Sequence, residues 1–249
     1  MPKSTRQTSP RFGSGIYLAL DSARAKKCLV SPQFIEPLRP IRGINLVPLP
    51  YVNADGKLSL MEPGYNPITK TYTTKNYFPY PTDWTPDQAV KYFRNLFSEF
   101  CFRDGDRERG MSVAIAAMLT LFNQYLLDPM SLRPIFCYTA NVQGAGKTLL
   151  AKCGIIPPLG YCPTKPYPQD EDERRKEILS TVIGGLNVLF WDNIVCHVSS
   201  PSLGALTTSP VYGGRILGES RTVEVSHNLT VFLTGKRLYV STRTFNGEC

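Results

Sequence analysis

The sequence predicts an α/β protein, with a parallel sheet core flanked by helices and a small mixed α+β segment before it. Three observations predict this fold class. From Leu132 onward, short apolar runs alternate with amphipathic segments, a pattern typical of parallel strands joined by helices. Two helical patterns precede Leu132, and the chain before them is rich in Pro, Tyr and turn residues. Of the 249 residues, 42% are hydrophobic, which is enough apolar material for a buried core.

Changes of composition divide the chain before the sheet. Residues 1–40 are predicted to form a basic, partly disordered N-terminal segment, and residues 41–83 a small region of short strands and loops. Residues 84–130 are predicted to be helical. Their first helix opens with Thr85 as N-cap and Pro86 at the first helical position, because these residue types favour those two positions.

The second helix of this region contains the longest uncharged apolar stretch, Met111–Leu127, which is 17 residues long. It is apolar nearly all round, so we expect a helix that is buried between layers. Asn123 and Gln124 interrupt the stretch, which is short for a membrane span, and the N-terminus has no signal-peptide pattern. Seven scattered cysteines without a C-x-x-C pair are typical of a reducing compartment. We therefore expect a cytoplasmic protein with no membrane contact.

Residues 131–249 are predicted to form the sheet and its helices. Buried strands follow from short runs of apolar and β-branched residues, and helices from the longer amphipathic segments between them. The predicted elements are a strand over Arg133–Thr139, a helix over Gly146–Cys153, a helix over Asp172–Ile183, a strand over Asn187–Phe190 and a strand over Leu229–Thr234.

The chain carries an excess of positive charge. It has 28 Lys and Arg against 20 Asp and Glu, a formal net charge of +8, and residues 1–50 hold eight of the basic residues against two acidic ones. This balance suits a polyanionic partner, although a solvated basic face gives the same count.

The segment Asn141-Val-Gln-Gly-Ala-Gly-Lys-Thr148 lies at a predicted strand-to-helix junction. A phosphate-binding loop requires this place, because the backbone N–H groups of a glycine-rich turn and of a helix N-terminus then face the phosphates. A Lys reaches the β- and γ-phosphates, and a hydroxyl binds Mg²⁺. Asn141 replaces the usual first Gly, and Asn tolerates positive φ better than most residues. The alternative is an ordinary glycine turn. The residues predicted to contact the nucleotide are Asn141, Gly144, Ala145, Gly146, Lys147, Thr148 and Leu149.

A nucleotide loop also needs an acidic group for the metal, at the end of a neighbouring strand. Asp192 follows the predicted strand Asn187–Phe190 and fills this role, so Thr148 and Asp192 are the predicted metal-binding residues. Asn193 stands where a second acid is expected to act as general base, and Glu219 is a candidate for that function instead. The alternative for Asp192 is a solvated or capping carboxylate.

The third predicted strand ends in Thr234-Gly235-Lys236. In ring ATPases a polar side chain at this place often orients the attacking water. Lys236 occupies the position here, and its ammonium group has no acceptor for a hydrogen bond from water. The predicted catalytic residues are Lys147, Asp192, Asn193 and Lys236.

Together with their flanks, these segments resemble a known family. Residues from about 40 to 240 look like the C-terminal ATPase region of phage and plasmid primase-helicases, which are related to superfamily-three helicases within the AAA+ class of P-loop NTPases. Order and spacing both fit. The matching stretches are Leu49-Pro-Tyr-Val-Asn-Ala-Asp-Gly56, Pro63-Gly-Tyr65, Ala140–Thr148, Arg174-Arg-Lys176, Phe190-Trp-Asp-Asn193, Gly214–Arg221 and Val231-Phe-Leu-Thr-Gly235.

The resemblance implies a ring-forming ATPase that uses ATP and Mg²⁺ to move along or unwind DNA during replication of a mobile element, with a primase as a possible partner. It implies that Gly213–Arg221 is a hairpin that faces the ring pore, with Arg215 and Arg221 as contacts to DNA phosphates. The alternative for either arginine is a salt bridge to Glu219 or Glu224. Gly235-Lys236-Arg237 replaces the family's usual Gly-Asn-Asn.

The resemblance also implies a further strand, and a helical segment with an arginine that reaches a neighbour's ATP. The chain ends at Cys249, soon after the third strand, so we expect an ATPase core that is incomplete at its C-terminus, with Arg243 as a remnant of that segment. Two functions stay open at this point: an active DNA-dependent ATPase, and a nucleotide- or DNA-binding remnant without turnover. A P-loop kinase or GTPase fits the flanks less well.

Overall fold

The structure is a computed structural model, and it describes residues 21–75, 83–142, 144–195, 197–216 and 221–236. The chain divides into two compact units, Met1–Pro40 and Ile41–Cys249. In the first unit, helix α1 (Ser22–Leu29) begins after Asp21, whose carboxylate accepts a hydrogen bond from the backbone N–H of Arg24 at 2.8 Å. A single turn, α2 (Pro32–Ile35), follows it.

The second unit begins with short strands and loops, in the region where the sequence predicts them. Strand β1 pairs in parallel with β5, β5 pairs antiparallel with β4, and β2 and β3 form an antiparallel pair. The buried Asn45 ties this part together, because its amide donates to Thr71 Oγ1 at 3.2 Å and its carbonyl accepts from the Tyr125 hydroxyl at 2.9 Å. The bounds are β1 (Gly43–Asn45), β2 (Pro50–Val52), β3 (Leu58–Leu60), β4 (Gly64–Asn66) and β5 (Thr71–Thr73).

Two helices follow, α3 (Pro86–Leu96) and α4 (Arg107–Phe122). The prediction for the start of α3 is confirmed: Thr85 is its N-cap, and a reciprocal pair of hydrogen bonds between Thr85 and Gln88 forms a capping box. Helix α4 is not buried on every side. Its Val113 and Leu119 are exposed, since α4 packs one face on its neighbours and leaves the other open among the described residues.

The core of the second unit is a four-stranded parallel sheet, which confirms the predicted fold class at that level. The strands lie in the order β6-β11-β8-β7, and each neighbouring pair is parallel. Helices and one hairpin cover the sheet. The elements are β6 (Ile135–Ala140), α5 (Lys147–Leu159), β7 (Thr164–Pro166), α6 (Glu171–Ile183), β8 (Val188–Ile194), α7 (Pro201–Thr208), β9 (Val211–Arg215), β10 (Thr222–Ser226) and β11 (Thr230–Lys236).

Each face of the sheet carries its own hydrophobic core. On one face, Phe190 and Phe232 pack with Ala117 of α4 and Ile155 of α5. On the other face, Trp191 and its strand neighbours pack with α6, α7 and the β9-β10 hairpin. Because both faces of the strands are covered, their sequences are nearly continuous runs of apolar residues. Such runs are easily recognised in the sequence as buried strands.

Candidate functional site

The glycine-rich segment joins β6 to α5 at the carboxyl edge of the sheet. Gly144 and Gly146 both adopt left-handed φ values, 78° and 77°, and Gly146 is the N-cap of α5. Asn141 does not need the positive φ that Asn tolerates, since Lys70 and Asn193 are the only described residues other than Gly with positive φ. The first N–H groups of a helix, here those of Lys147 onward, lack partners inside the helix and can therefore face an anion.

Lys147 is the first residue of α5. Its ammonium group donates a hydrogen bond to the backbone carbonyl of Val142 at 3.3 Å, so the side chain folds back over the loop that precedes it. The positive charge therefore lies at the loop, where it could contact a phosphate.

Thr148 and Asp192 meet across the edge of the sheet. The Thr148 hydroxyl donates to Asp192 Oδ1 at 2.7 Å, which joins the start of α5 to the end of β8. These two residues are 44 positions apart in the sequence, and the parallel topology brings them together because β6 and β8 both end at this edge. The pair predicted to bind a metal is thus one contiguous group of oxygen atoms.

A β-bulge shapes the end of β8. Leu233 of β11 pairs with Trp191 and Gly235 pairs with Ile194, so Asp192 and Asn193 together stand opposite a single residue of β11. Asn193 has a left-handed φ of 58°, which is uncommon outside glycine. The bulge therefore alters the strand at the two residues that the sequence assigns to catalysis.

Thr234 is the residue opposite the bulge, and sequence reasoning did not assign it a function. It is fully buried, its hydroxyl donates to Asp192 Oδ1, and the same oxygen accepts the Asn193 N–H at 3.1 Å. Asp192 Oδ1 thus accepts hydrogen bonds from two hydroxyl groups, those of Thr148 and Thr234. The sequence carries no local signal for this contact, since the strand Leu229–Thr234 contains two threonines, Thr230 and Thr234.

Lys236, the last residue of β11, also lies at this edge. The register places it beside Ala140, which is the last residue of β6 and directly precedes the glycine-rich loop. Leu149 is exposed on α5, while Ala145 is partly buried in the loop. The predicted nucleotide-contact and catalytic residues that the structure describes therefore lie along one edge of the sheet.

The predicted DNA-contact arginines lie on the β9-β10 hairpin. The two strands are antiparallel with Arg215 opposite Thr222, and the Ile216 N–H donates to the Arg221 carbonyl at 3.0 Å. The inner face of the hairpin packs on the core, where Gly214 lies against Leu179 of α6. Arg215 and Arg221 are both exposed, near the end of the hairpin that points away from its connection to β11.

Two observations bear on the alternative that these arginines form salt bridges to Glu219 or Glu224. Glu219 lies outside the described residues. Glu224 stands opposite Gly213, two residues along the strand from the partner of Arg215, and no ion pair joins Arg221 to a described acidic residue. Arg243 also lies outside the described residues.

Arg174, the first residue of the stretch Arg174-Arg-Lys176, makes contacts that stabilise the fold. It is buried, donates to the Glu171 carboxylate at 2.7 Å and to the carbonyls of Pro168 and Gln169 at 2.8 Å, and lies over the Tyr167 ring. Burial alone would raise the pKa of Glu171, but hydrogen bonds from Ser202, Arg174 and Ser200 outweigh it and lower that pKa. These contacts fix the start of α6 to the start of α7.

The oxygens of Thr148 and Asp192 fit a magnesium ion better than a softer metal, because Mg²⁺ prefers one or two protein oxygens and takes its remaining ligands from phosphate and water. Within residues 21–75, 83–142, 144–195, 197–216 and 221–236, no group of three or more His, Cys, Asp or Glu side chains forms a metal-binding cluster of its own. A magnesium ion held by Thr148 and Asp192 would take its remaining ligands from phosphate and water.

Across the described part of the chain, no helix is both long and apolar enough to cross a membrane. The chain matches no protein-family model, and a search of curated proteins finds no relative.

Proposed function

We propose that the protein binds ATP with Mg²⁺ at the carboxyl edge of its parallel sheet and hydrolyses it as the motor of a DNA helicase or translocase. One observation carries the proposal: the glycine-rich loop, Lys147, Thr148 and Asp192 lie together at this edge, with 2.7 Å between Thr148 Oγ1 and Asp192 Oδ1. A helix N-terminus, a lysine and a carboxylate at one strand edge suit a nucleoside triphosphate and its metal.

Each residue then has a chemical role. The loop N–H groups and Lys147 neutralise the β- and γ-phosphates, and Lys147 exchanges its hydrogen bond with the Val142 carbonyl for one with phosphate oxygen. Thr148 and Asp192 would hold Mg²⁺, which would supply Lewis-acid stabilisation of the phosphates. Thr234 holds Asp192 in place, because its hydroxyl donates to the carboxylate that the metal would need.

The attacking water needs a base, and Asn193 has no carboxylate. An amide accepts a hydrogen bond from water but does not take its proton at neutral pH, and Lys236 has donors only. Asp192 is assigned to the metal in this proposal, and Glu219 remains the candidate base from the sequence. We therefore expect slow turnover compared with motors that have a second acid at the position of Asn193.

DNA as the partner is proposed on three grounds. These are the resemblance to primase-helicases, the formal net charge of +8 and the two exposed arginines of the β9-β10 hairpin. Contacts of this kind are made to phosphates and carry little sequence preference. The proposal includes a homo-oligomeric ring with the hairpins at its centre, within a phage or plasmid replication system and with a primase as possible partner.

The test is ATP hydrolysis measured with and without single-stranded DNA. We expect DNA to stimulate hydrolysis, and Lys147→Ala to lower the rate about 100-fold or more, since it removes a charge that the transition state needs. Lys152→Ala, five residues further along α5, is the matched control and should retain the rate. A wild-type rate no higher than that of Lys147→Ala would exclude the ATPase.

A second function, nucleotide binding without turnover, is favoured by one observation. The left-handed Asn193 occupies the place of the general base, and Asp tolerates this backbone conformation nearly as well as Asn. Asn193→Asp adds a carboxylate there with little backbone strain. If the wild type binds ATP without hydrolysing it and Asn193→Asp hydrolyses it, the missing base accounts for the lack of turnover. Measurable wild-type turnover contradicts this second function.

A further inference from the structure

An aromatic side chain, Phe100, packs beside the glycine-rich loop of the proposed ATP site. It lies in the connection between α3 and α4, far from the loop in sequence. A Cβ built on Gly146 would meet two ring carbons of Phe100, each at 3.7 Å. Because Gly146 is the N-cap of α5, the ring borders the helix N-terminus at which the phosphates of a nucleotide would lie.

The surrounding chain holds Phe100 in place without burying it. Its backbone N–H donates to the Phe97 carbonyl at 3.3 Å, and its carbonyl accepts a hydrogen bond from the Phe102 N–H at 2.9 Å. Its ring centre lies 6.2 Å from that of the fully buried Phe97 and 6.5 Å from that of Phe102. Phe100 itself stays partly exposed. The aromatic neighbours thus fix the position of a residue that a ligand at the loop can still reach.

The start of α5 has two different sides. Thr148 points toward β8, since its hydroxyl donates to Asp192 Oδ1 at 2.7 Å. Leu150 lies two residues further on, about 200° around the helix, so the two side chains leave α5 on nearly opposite sides. Leu150 and Phe100 both pack against the cluster formed by Phe97 and residues of α4. The oxygen atoms for a metal therefore lie on one side of α5, and the aromatic ring lies on the other.

The shape of ATP matches this division. When the β- and γ-phosphates share Mg²⁺ with Thr148, the ribose and the base lie at the other end of the row of phosphates. The side of α5 away from the metal carries Phe100 beside Gly146, and the exposed Leu149 follows in the same turn. An aromatic ring and an aliphatic side chain provide apolar surface on which a planar base can stack.

We propose that Phe100 stacks on the base of ATP bound at the glycine-rich loop and thereby positions the nucleoside. This role rests on the proposed function, since the loop must first hold the phosphates. Stacking on an aromatic ring tolerates any base, because every base has a π-face. Phe100 therefore distinguishes a nucleotide from a chain of inorganic phosphates, rather than one nucleotide from another.

The experiment is calorimetric titration of the wild type and Phe100→Leu with ATP and with inorganic tripolyphosphate, each with Mg²⁺. Tripolyphosphate has the phosphates but no base, so it measures the loop alone. We expect Phe100→Leu to bind ATP about tenfold more weakly, a factor typical of one base stacked on an aromatic ring, and to bind tripolyphosphate like the wild type. Phe100→Tyr keeps the ring and should keep the affinity for ATP. Phe93→Leu removes a ring of α3 from the same cluster, and as the matched control it should bind both ligands normally.

Wild-type protein supplies a readout that does not depend on a variant folding. The ring-proton resonances of Phe100 should shift when ATP binds, because the stacked base adds its ring current, and should stay in place when tripolyphosphate binds. An unchanged affinity of Phe100→Leu for ATP would overturn the stacking role while ATP binding at the loop stands. An equal loss of both ligands would also overturn it, since the ring would then only support the loop. If neither ligand binds the wild type, the proposed function fails and the role of Phe100 fails with it.

Discussion

Asp192 depends on residues that are far from it in sequence. Its Oδ1 accepts hydrogen bonds from the hydroxyl groups of Thr148 and Thr234. The Thr234 oxygen in turn accepts a hydrogen bond from the Asn193 N–H across the bulge. Hydrogen bonds to a charged carboxylate are among the stronger ones in proteins. The carboxylate is thus held by both neighbouring elements before any ligand binds.

Thr234→Val tests this arrangement. Valine keeps the shape of threonine but removes the donor to Asp192 and the acceptor for the Asn193 N–H, so we expect a loss of about 1–3 kcal/mol in the free energy of unfolding. Urea denaturation measures it. Thr139→Val, at an exposed position of β6, is the control and should be nearly neutral. Equal stability of Thr234→Val and the wild type would contradict the described contacts.

Residue patterns in the sequence indicate the loop lysine, the hydroxyl beside it and the acid at the end of a strand, because each has a fixed place relative to its own element. Thr234 could not be identified in that way. Its function depends on the register between β11 and β8, and on a bulge that places Asp192 and Asn193 opposite one residue. Register between strands distant in sequence leaves no local signal.

At the scale of elements, the predicted strands and helices of residues 131–249 are present, with different bounds. Helix α5 runs to Leu159, whereas its pattern predicts an end at Cys153, because Gly154 and two prolines resemble a helix stop. The packing there does not require glycine at position 154, since a Cβ would meet α4 and Phe232 at ordinary contact distances. The short β7 has no periodic pattern of its own and was not predicted.

The β9-β10 hairpin carries the prediction about DNA. Replacing Arg215 and Arg221 by Ala should weaken binding to single-stranded DNA and lower the salt dependence of log K by about 1.4, since each phosphate contact contributes about 0.7. The loss should be similar for different DNA sequences. Fluorescence anisotropy over a range of salt concentrations measures both quantities.

The matched control removes the same charge elsewhere. Lys91 and Arg103 are exposed in the helical region, and the double variant Lys91→Ala, Arg103→Ala changes the net charge equally. If both double variants show the same salt dependence, overall charge explains the binding and the hairpin has no special function in it.

For the whole molecule, the sequence predicts the fold class but not the arrangement of the strands. The order β6-β11-β8-β7 places the last described strand between the first two long ones, and this follows from long-range packing rather than from any local pattern. Because the four strands are parallel, their carboxyl ends lie on one side of the sheet, where the glycine-rich loop joins β6 to α5.

His227 links the stability of the folded unit to pH. Burial lowers its pKa, and nearby Arg133 lowers it further, while the hydrogen bond to the Ser209 carbonyl raises it only in part. The unfolded chain therefore binds a proton at a higher pH, near the ordinary value of 6.5. The contribution of His227 to stability is complete above pH 6.5 and is lost as the pH falls through the folded pKa.

The measurement is urea denaturation of the wild type and His227→Gln at several pH values between about 5 and 8. Glutamine does not titrate, so the difference in stability between the two proteins should shrink as the pH falls below 6.5. Carboxylates such as Glu171 affect both proteins alike and cancel in the comparison. A difference that is constant over this range would show that His227 has the same pKa in both states.

Direct binding of ATP tests the central claim, that the loop, Lys147, Thr148 and Asp192 form a site for Mg²⁺ and a nucleoside triphosphate. Calorimetry with ATP in the presence and absence of Mg²⁺ measures it on the wild type, Lys147→Ala and the control Lys152→Ala. We predict Mg²⁺-dependent binding that Lys147→Ala weakens at least about tenfold and Lys152→Ala retains, the loss expected for one charged phosphate contact. ATP binding of equal strength in the wild type and Lys147→Ala, or no binding at all, would contradict the account.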